Sequence, residues 1–158
     1  MEIYVTLLGR SVWALLNTYY AALDKGREPE KIHVFAEKGY KNNCEKVEKG
    51  LEIISEGYGF SPEIKIHVVQ DGGFMNAGKK IRETLSKLIK EENEVSIDIT
   101  PGRKALVAAA LLSAFTLSAK EKMNVDQVLY LAVNETIPKP YYEIPFQIQE
   151  LRNLIEDI

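Results

Sequence analysis

The sequence predicts one α/β domain, a Rossmann-like three-layer sandwich with a mostly parallel six-stranded sheet. Three observations lead to that class. Short β-branched runs alternate with longer stretches of helical periodicity, the pattern of strands joined by crossover helices. Two of the strand-to-helix junctions carry glycine, a hydroxyl and cations, as ligand-facing strand ends do in such sheets. The 158 residues are 46% hydrophobic and 27% charged, which suits a single core-forming domain. Residues 1–158 are therefore read as one domain, with a short terminal helix over 147–158.

Each element follows from its pattern. Residues 3–8 read as the first strand and 11–25 as a helix with Val12, Leu15, Leu16, Tyr19 and Leu23 inward. Residues 32–36 form the second strand, followed by a helix with the stripe Cys44, Val47, Leu51 and Ile54 that stops near Gly57 and Gly59. Residues 64–69 are the third strand; the next helix carries Ile81, Leu85, Leu88 and Ile89. Residues 95–99 are the fourth strand, running into a helix over 101–120, and 128–133 are the fifth. Pro140 and Pro145 bracket an edge-like sixth strand over 141–146. The tail places Ile148, Leu151, Ile155 and Ile158 on one helical face, expected to pack mainly on the domain's own core. A sheet order of 3-2-1-4-5, taken as a working assumption, reverses between strands one and four, where a ligand belongs.

Bulk properties narrow the function. A net charge of -3 argues against wrapping long nucleic acid but leaves room for a small anion on local cations. The single cysteine, Cys44, cannot form an intramolecular disulfide, which fits a reducing cytoplasm. The start Met1-Glu2-Ile3-Tyr4 lacks a basic leader, and the apolar run 105–119 is shorter than the ~20 residues of a membrane helix. A soluble cytoplasmic protein is expected, with no cofactor and no metal. His33 and His67 lie inside strands, and no Cys/His cluster suits zinc.

Chemistry concentrates at the junctions. In Asp98-Ile99-Thr100-Pro101-Gly102-Arg103-Lys104, Thr100 reads as an N-cap and Pro101 as the first helical residue. Gly102 admits a ligand close to the backbone, helix amides attract anions, and Arg103 and Lys104 add cations. The plainer alternative is a capped helix with two solvated bases. Leu8-Gly9-Arg10-Ser11 repeats the design, although Ser11 could be an N-cap alone. Trp13 suits either the core or a nucleobase-facing role. Gly73-Phe74-Met75-Asn76-Ala77-Gly78-Lys79-Lys80 matches G-x-x-x-x-G-K but has Lys80 where a P-loop needs Ser or Thr, which disfavours an NTPase. The turn Asp71-Gly72-Gly73 remains a candidate lining of the same site. The helix Ala105 to Leu112 is apolar around its circumference and so needs a second cover. A homodimer supplies one, with both cationic loops near a shared axis, and Ala109→Glu is then expected to break it.

At these residues the chain resembles a known family. Ile97-Asp98-Ile99-Thr100-Pro101-Gly102-Arg103-Lys104-Ala105-Leu106 is similar to the strand-four signature of CRISPR-associated Rossmann-fold (CARF) domains, D-h-T-G-G-T/R-K before an apolar helix. Leu8-Gly9-Arg10-Ser11 resembles the family's first-strand L-G-x-S, and Tyr142-Glu143-Ile144-Pro145 its last strand. Pro101 departs from the glycine of many members and removes an amide. The resemblance implies type III CRISPR antiviral signalling: a homodimer binding a cyclic oligoadenylate, cyclic tetra-adenylate foremost, across its two-fold axis. Gly9, Arg10, Ser11, Thr100, Gly102, Arg103 and Lys104 would meet phosphates and riboses, with Trp13, Pro101, Asp71, Gly72 and Gly73 lining the pocket. Without an effector domain, the chain further resembles ring nucleases, which cleave the messenger without metal; Ser11, Arg103 and Lys104 would then be catalytic. A non-catalytic sensor and an unrelated nucleotide-binding Rossmann-like protein are the alternatives.

Overall fold

The computed structural model describes residues 1–134 and 143–158. Its strands are β1 (Glu2–Leu8), β2 (Lys31–Glu37), β3 (Glu63–Val69), β4 (Glu94–Asp98), β5 (Gln127–Val133) and β6 (Gln149–Asn153). They form one sheet ordered β3-β2-β1-β4-β5-β6. The first five are parallel and β6 is antiparallel to β5. The expected reversal between strands one and four is thus observed.

The helices divide between the two faces. On one, α1 (Val12–Asp24) and α2 (Cys44–Gly57) bury Leu15, Leu16, Tyr19, Val47 and Leu51 against Tyr4, Ile32 and Val34. On the other, α3 (Phe74–Lys90) and α4 (Lys104–Thr116) bury Ile81, Leu85 and Leu106 against Ile3, Val5, Leu7 and Ile97. Both faces of the central strands are therefore covered, which explains why β1 is buried on both sides and largely apolar, with hydroxyls only at Tyr4 and Thr6, rather than alternating. Among the described residues, no helix is long and apolar enough to cross a membrane.

Four expectations need correction. First, α4 starts at Lys104 rather than at residue 101 and ends at Thr116, followed by a π-helical turn, Leu117–Glu121. Thr100 precedes a proline, which disfavours helical backbone there, and its polar groups are drawn to neighbouring strands instead. Second, the part of the sixth strand that falls on described residues, 143–146, is not strand; Tyr141 and Tyr142 lie outside the described residues. Third, the tail is not one helix. Gln149–Asn153 extends the sheet, pairing Leu151 with Leu131; a 3-10 turn, Phe146–Ile148, precedes it, and only Leu154–Asp157 (α5) is α-helical. Period-2 and period-3.6 patterns are hard to separate over so few residues, and the open edge of β5 decides for strand. Ile148 and Leu151 pack on the core while Ile155 and Ile158 are exposed. Fourth, Ala109 is buried, packing near Gly78 of α3, so it cannot report on an outer contact.

The G-x-x-x-x-G-K segment lies almost wholly within α3, with Gly73 only at its N-cap position. Ser113 donates from α4 to the Gly78 carbonyl at 2.9 Å. This glycine serves helix packing, not a phosphate-cradling loop.

Candidate functional site

The two sequence-predicted loops meet at the carboxyl ends of β1 and β4. At Gly9 a side chain would collide with the Pro101 carbonyl oxygen and approach the Arg103 amide. Only glycine permits this crossing. Gly102 is also required by space, but on its inner side, where a Cβ would strike Leu7 at 2.7 Å and Val107 at 2.8 Å. Its lack of a side chain lets the loop seat closely on the core.

Asp98 shapes the second loop from below. Its Oδ1 accepts from the Thr100 amide at 2.9 Å, and Oδ2 accepts from the Thr6 hydroxyl at 3.0 Å. The carboxyl is fully buried, and burial pushes its pKa up to about 6 despite the hydrogen bonds from Thr100 and Thr6 that oppose the rise. Thr100 Oγ1 in turn accepts from the Leu131 amide at 2.9 Å. Thr100 therefore ties β4 to β5 and does not cap α4. Arg103 occupies the cap position with extended backbone, and its side chain makes no cap hydrogen bond. The first amides of α4 lie beyond its own hydrogen-bond ladder, and these are groups to which anions bind.

Ser11 is the N-cap of α1, its Oγ accepting from the Ala14 amide at 3.1 Å. Its hydroxyl proton can still be donated to a ligand. Arg10, Arg103 and Lys104 are exposed around the crossing. Trp13, in the first turn of α1, lines a different groove, of about 560 Å³, with Leu16, Tyr20, Ile53 and Tyr58 between α1 and α2.

Two strands away, the turn after β3 is engaged with the end of β2. Asp71 Oδ1 accepts from the Gly39 amide at 2.7 Å, and the Gly72 amide donates to Glu37 Oε1 at 3.1 Å. Gly72 has φ +63°, a left-handed turn position that favours glycine. Gly72 and Gly73 line a narrow crevice with Glu37, Ala105 and Leu106, so this turn does approach the start of α4.

Sequence reasoning missed Glu37, only 3% exposed at the end of β2. Its Oε2 lies 3.5 Å from Arg103 Nη1, and the Arg103 guanidinium lies 6.0 Å from the centre of the Tyr40 ring. The available signal was a carboxylate closing the otherwise apolar run Val34-Phe35-Ala36. The Lys38–Asn43 3-10 segment that carries Tyr40 was missed as well.

No protein-family model matches the chain, and no curated protein matches it either. Solved structures do share its fold. Can2 from Sulfobacillus thermosulfidooxidans, in complex with cyclic tetra-adenylate, superposes with a TM-score of 0.60 at 17% identity, covering 82% of this chain and 32% of that one. Protein VC1899 from Vibrio cholerae gives 0.64 at 12% identity, covering 84% and 31%. Enterococcus italicus Csm6, bound to cyclic hexa-2'-fluoro-hexa-dAMP, gives 0.60 at 14% identity, covering 89% and 34%. The chain spans about a third of the length of each. At these identities the likeness establishes a shared α/β Rossmann-like fold.

Proposed function

We propose that this chain is a CARF-type sensor domain that binds a cyclic oligoadenylate, cyclic tetra-adenylate foremost, between two copies of itself. The observation that carries this reading is the crossing of Gly9 with Pro101 and Arg103 at the switch point of the sheet. It brings Arg10, Ser11, Arg103, Lys104 and the start of α4 to one place. That is chemistry for a phosphodiester: cations, free amides and a hydroxyl on a rigid frame. Two of the fold's solved relatives carry a cyclic adenylate in their structures. A ring with two-fold symmetry suits two equivalent half-sites across an axis.

Slow cleavage of the bound ring is a second reading of the same residues, in type III CRISPR signalling a way to end the signal. Ser11 favours it in one respect: its oxygen accepts from Ala14, which fixes the side chain while leaving its proton available to align a ligand. In this reading a ribose 2′-oxygen attacks the adjacent phosphorus and the 5′-oxygen leaves, taking up a proton. The products are a 2′,3′-cyclic phosphate and a 5′-hydroxyl. Arg103 and Lys104 would stabilise the charge that builds on the phosphate.

Calorimetry with cyclic tetra- and hexa-adenylate, followed by product analysis in EDTA, tests both readings. Saturable binding at one ring per two chains supports the sensor. No binding of either ring would end it. Cleavage that persists in EDTA but stops with 2′-deoxy rings supports in-line attack, and an intact ring after long incubation with excess protein leaves binding alone.

A further inference from the structure

We infer that Glu37 is a positioning residue for the candidate site, holding the Arg103 guanidinium across the end of β1 so that it faces the ligand already aimed. The inference rests on the anion-site reading and adds to it a residue from a strand that contributes neither of the two loops.

The geometry is specific. Arg103 follows β4, Glu37 ends β2, and β1 lies between them in the sheet. The loop after β4 already carries the Arg103 backbone to the end of β1, its amide 3.4 Å from where a Gly9 Cβ would lie, and the side chain reaches on to bring Nη1 within 3.5 Å of Glu37 Oε2. The end of β1 is the switch point of the sheet and carries the Gly9 crossing. Tyr40 flanks the guanidinium with its ring, at the outer limit of a cation–π contact.

The carboxylate is itself immobile. It is almost fully buried, and Oε1 is held by the Gly72 amide. Oε2 has no hydrogen-bond partner among the described residues, and its one ionic neighbour there is Arg103. A buried carboxylate with an unfilled oxygen attracts the nearest cation strongly. At 3.5 Å, however, the pair is looser than the ~2.7–2.9 Å of a closed charge-assisted bond. The guanidinium carries five N–H donors in a rigid fork, so one edge can face Glu37 while another serves a phosphate. The Arg103 side chain is 46% exposed, which leaves part of that fork open to a ligand. A lysine ammonium could also meet two acceptors, but without the rigid planar fork that fixes their relative directions.

Glu37→Gln tests the assignment, since it keeps the acceptor for Gly72 and removes the charge that holds Arg103. In the wild type, ¹⁵N-arginine spectra should show restricted rotation of the Arg103 guanidinium, its signal identified by loss in Arg103→Ala. In Glu37→Gln without any ligand, that rotation should become fast. Unchanged rotation overturns the inference, whatever the protein binds. With cyclic tetra-adenylate as probe, Glu37→Gln should weaken binding by about tenfold when Arg103 is present and not at all in the Arg103→Ala background. Equal losses in both backgrounds, or tighter binding in Glu37→Gln, also overturn it. A wild-type protein that ignores every cyclic oligoadenylate refutes the ligand reading instead, and the spectra still decide the role of Glu37.

Discussion

Asp98 and His33 make opposite demands on pH, and both can be read at the level of single groups. Asp98 prefers its proton in the folded protein: its pKa rises from 3.8 to about 6 through burial. Between those values the unfolded chain loses a proton that the folded chain keeps, so stability falls as pH rises, by on the order of 3 kcal/mol. His33 behaves in reverse. Burial first, then His67 at 2.8 Å and the nearby Lys65 and Lys31, lower its pKa from 6.5 to about 4. The unfolded chain binds the extra proton here, so stability rises with pH across that window. In the wild type the two largely offset each other. Asp98→Asn, whose amide can still serve Thr100 and Thr6, should remove the falling contribution. Urea unfolding should then show stability climbing more steeply between pH 4 and 6.5 than in the wild type; parallel profiles would count against Asp98. Also at this scale, Lys104→Ala and Arg103→Ala should each weaken cyclic tetra-adenylate binding by about 1–3 kcal/mol. Lys79→Ala and Lys80→Ala should matter less, since Lys79 pairs loosely with Glu83 on the surface of α3 and Lys80 donates to the Val68 carbonyl. Unfolding should be followed beside affinity for Arg103→Ala, because that change leaves the Glu37 carboxylate without its cation.

At the scale of elements, the site depends on two loops touching. Gly9→Ala places a methyl group against the Pro101 carbonyl, a rigid backbone atom. The loops must separate, and overpacking of this kind costs about 1–3 kcal/mol. Ligand affinity should fall along with stability, because the spacing of Arg10, Ser11 and Arg103 changes with the crossing. Thermal unfolding and calorimetry on the same sample check this; a variant of wild-type stability that still binds would mean the loops do not act as a unit. The start of α4 illustrates the same dependence. Thr100 and Pro101 have good credentials for a helix start when read locally. Asp98 and β5 claim Thr100 first, and the helix begins at Lys104.

At the scale of the whole molecule, α4 presents an apolar surface that no described residue of the chain covers. Of the residues around α4, Leu106, Ala109, Ala110 and Ser113 pack on the sheet and α3. Leu111, Leu112 and Phe115 remain outside, Leu112 at 53% and Phe115 at 68% exposure. Removing such side chains from water is worth about 1.5–3 kcal/mol each, which favours a second copy as the cover. Sedimentation should give a dimer at micromolar concentration. Leu112→Glu with Phe115→Glu should shift it to monomer without unfolding it and abolish ring binding together with the dimer. A stable wild-type monomer that binds the ring would place the whole site in one chain.

The sequence by itself determined the alternation of strands and helices, the two loops and their cations, and the need for cover on α4. Each of these is written in a short stretch: a run of β-branched residues, a glycine before a hydroxyl, an apolar circumference. Even the strand reversal followed once the order was assumed. What only the tertiary structure decided involves residues far apart in the chain. Thr6 reaches Asp98 over 92 positions, and Thr100 reaches Leu131 over 31. Glu37 and Arg103 approach each other only because β1 and β4 are neighbours in the sheet. The edge of β5 turned an apparent terminal helix into β6. Local periodicity carries no record of such partners, and a buried polar group takes whichever partner the packing brings near.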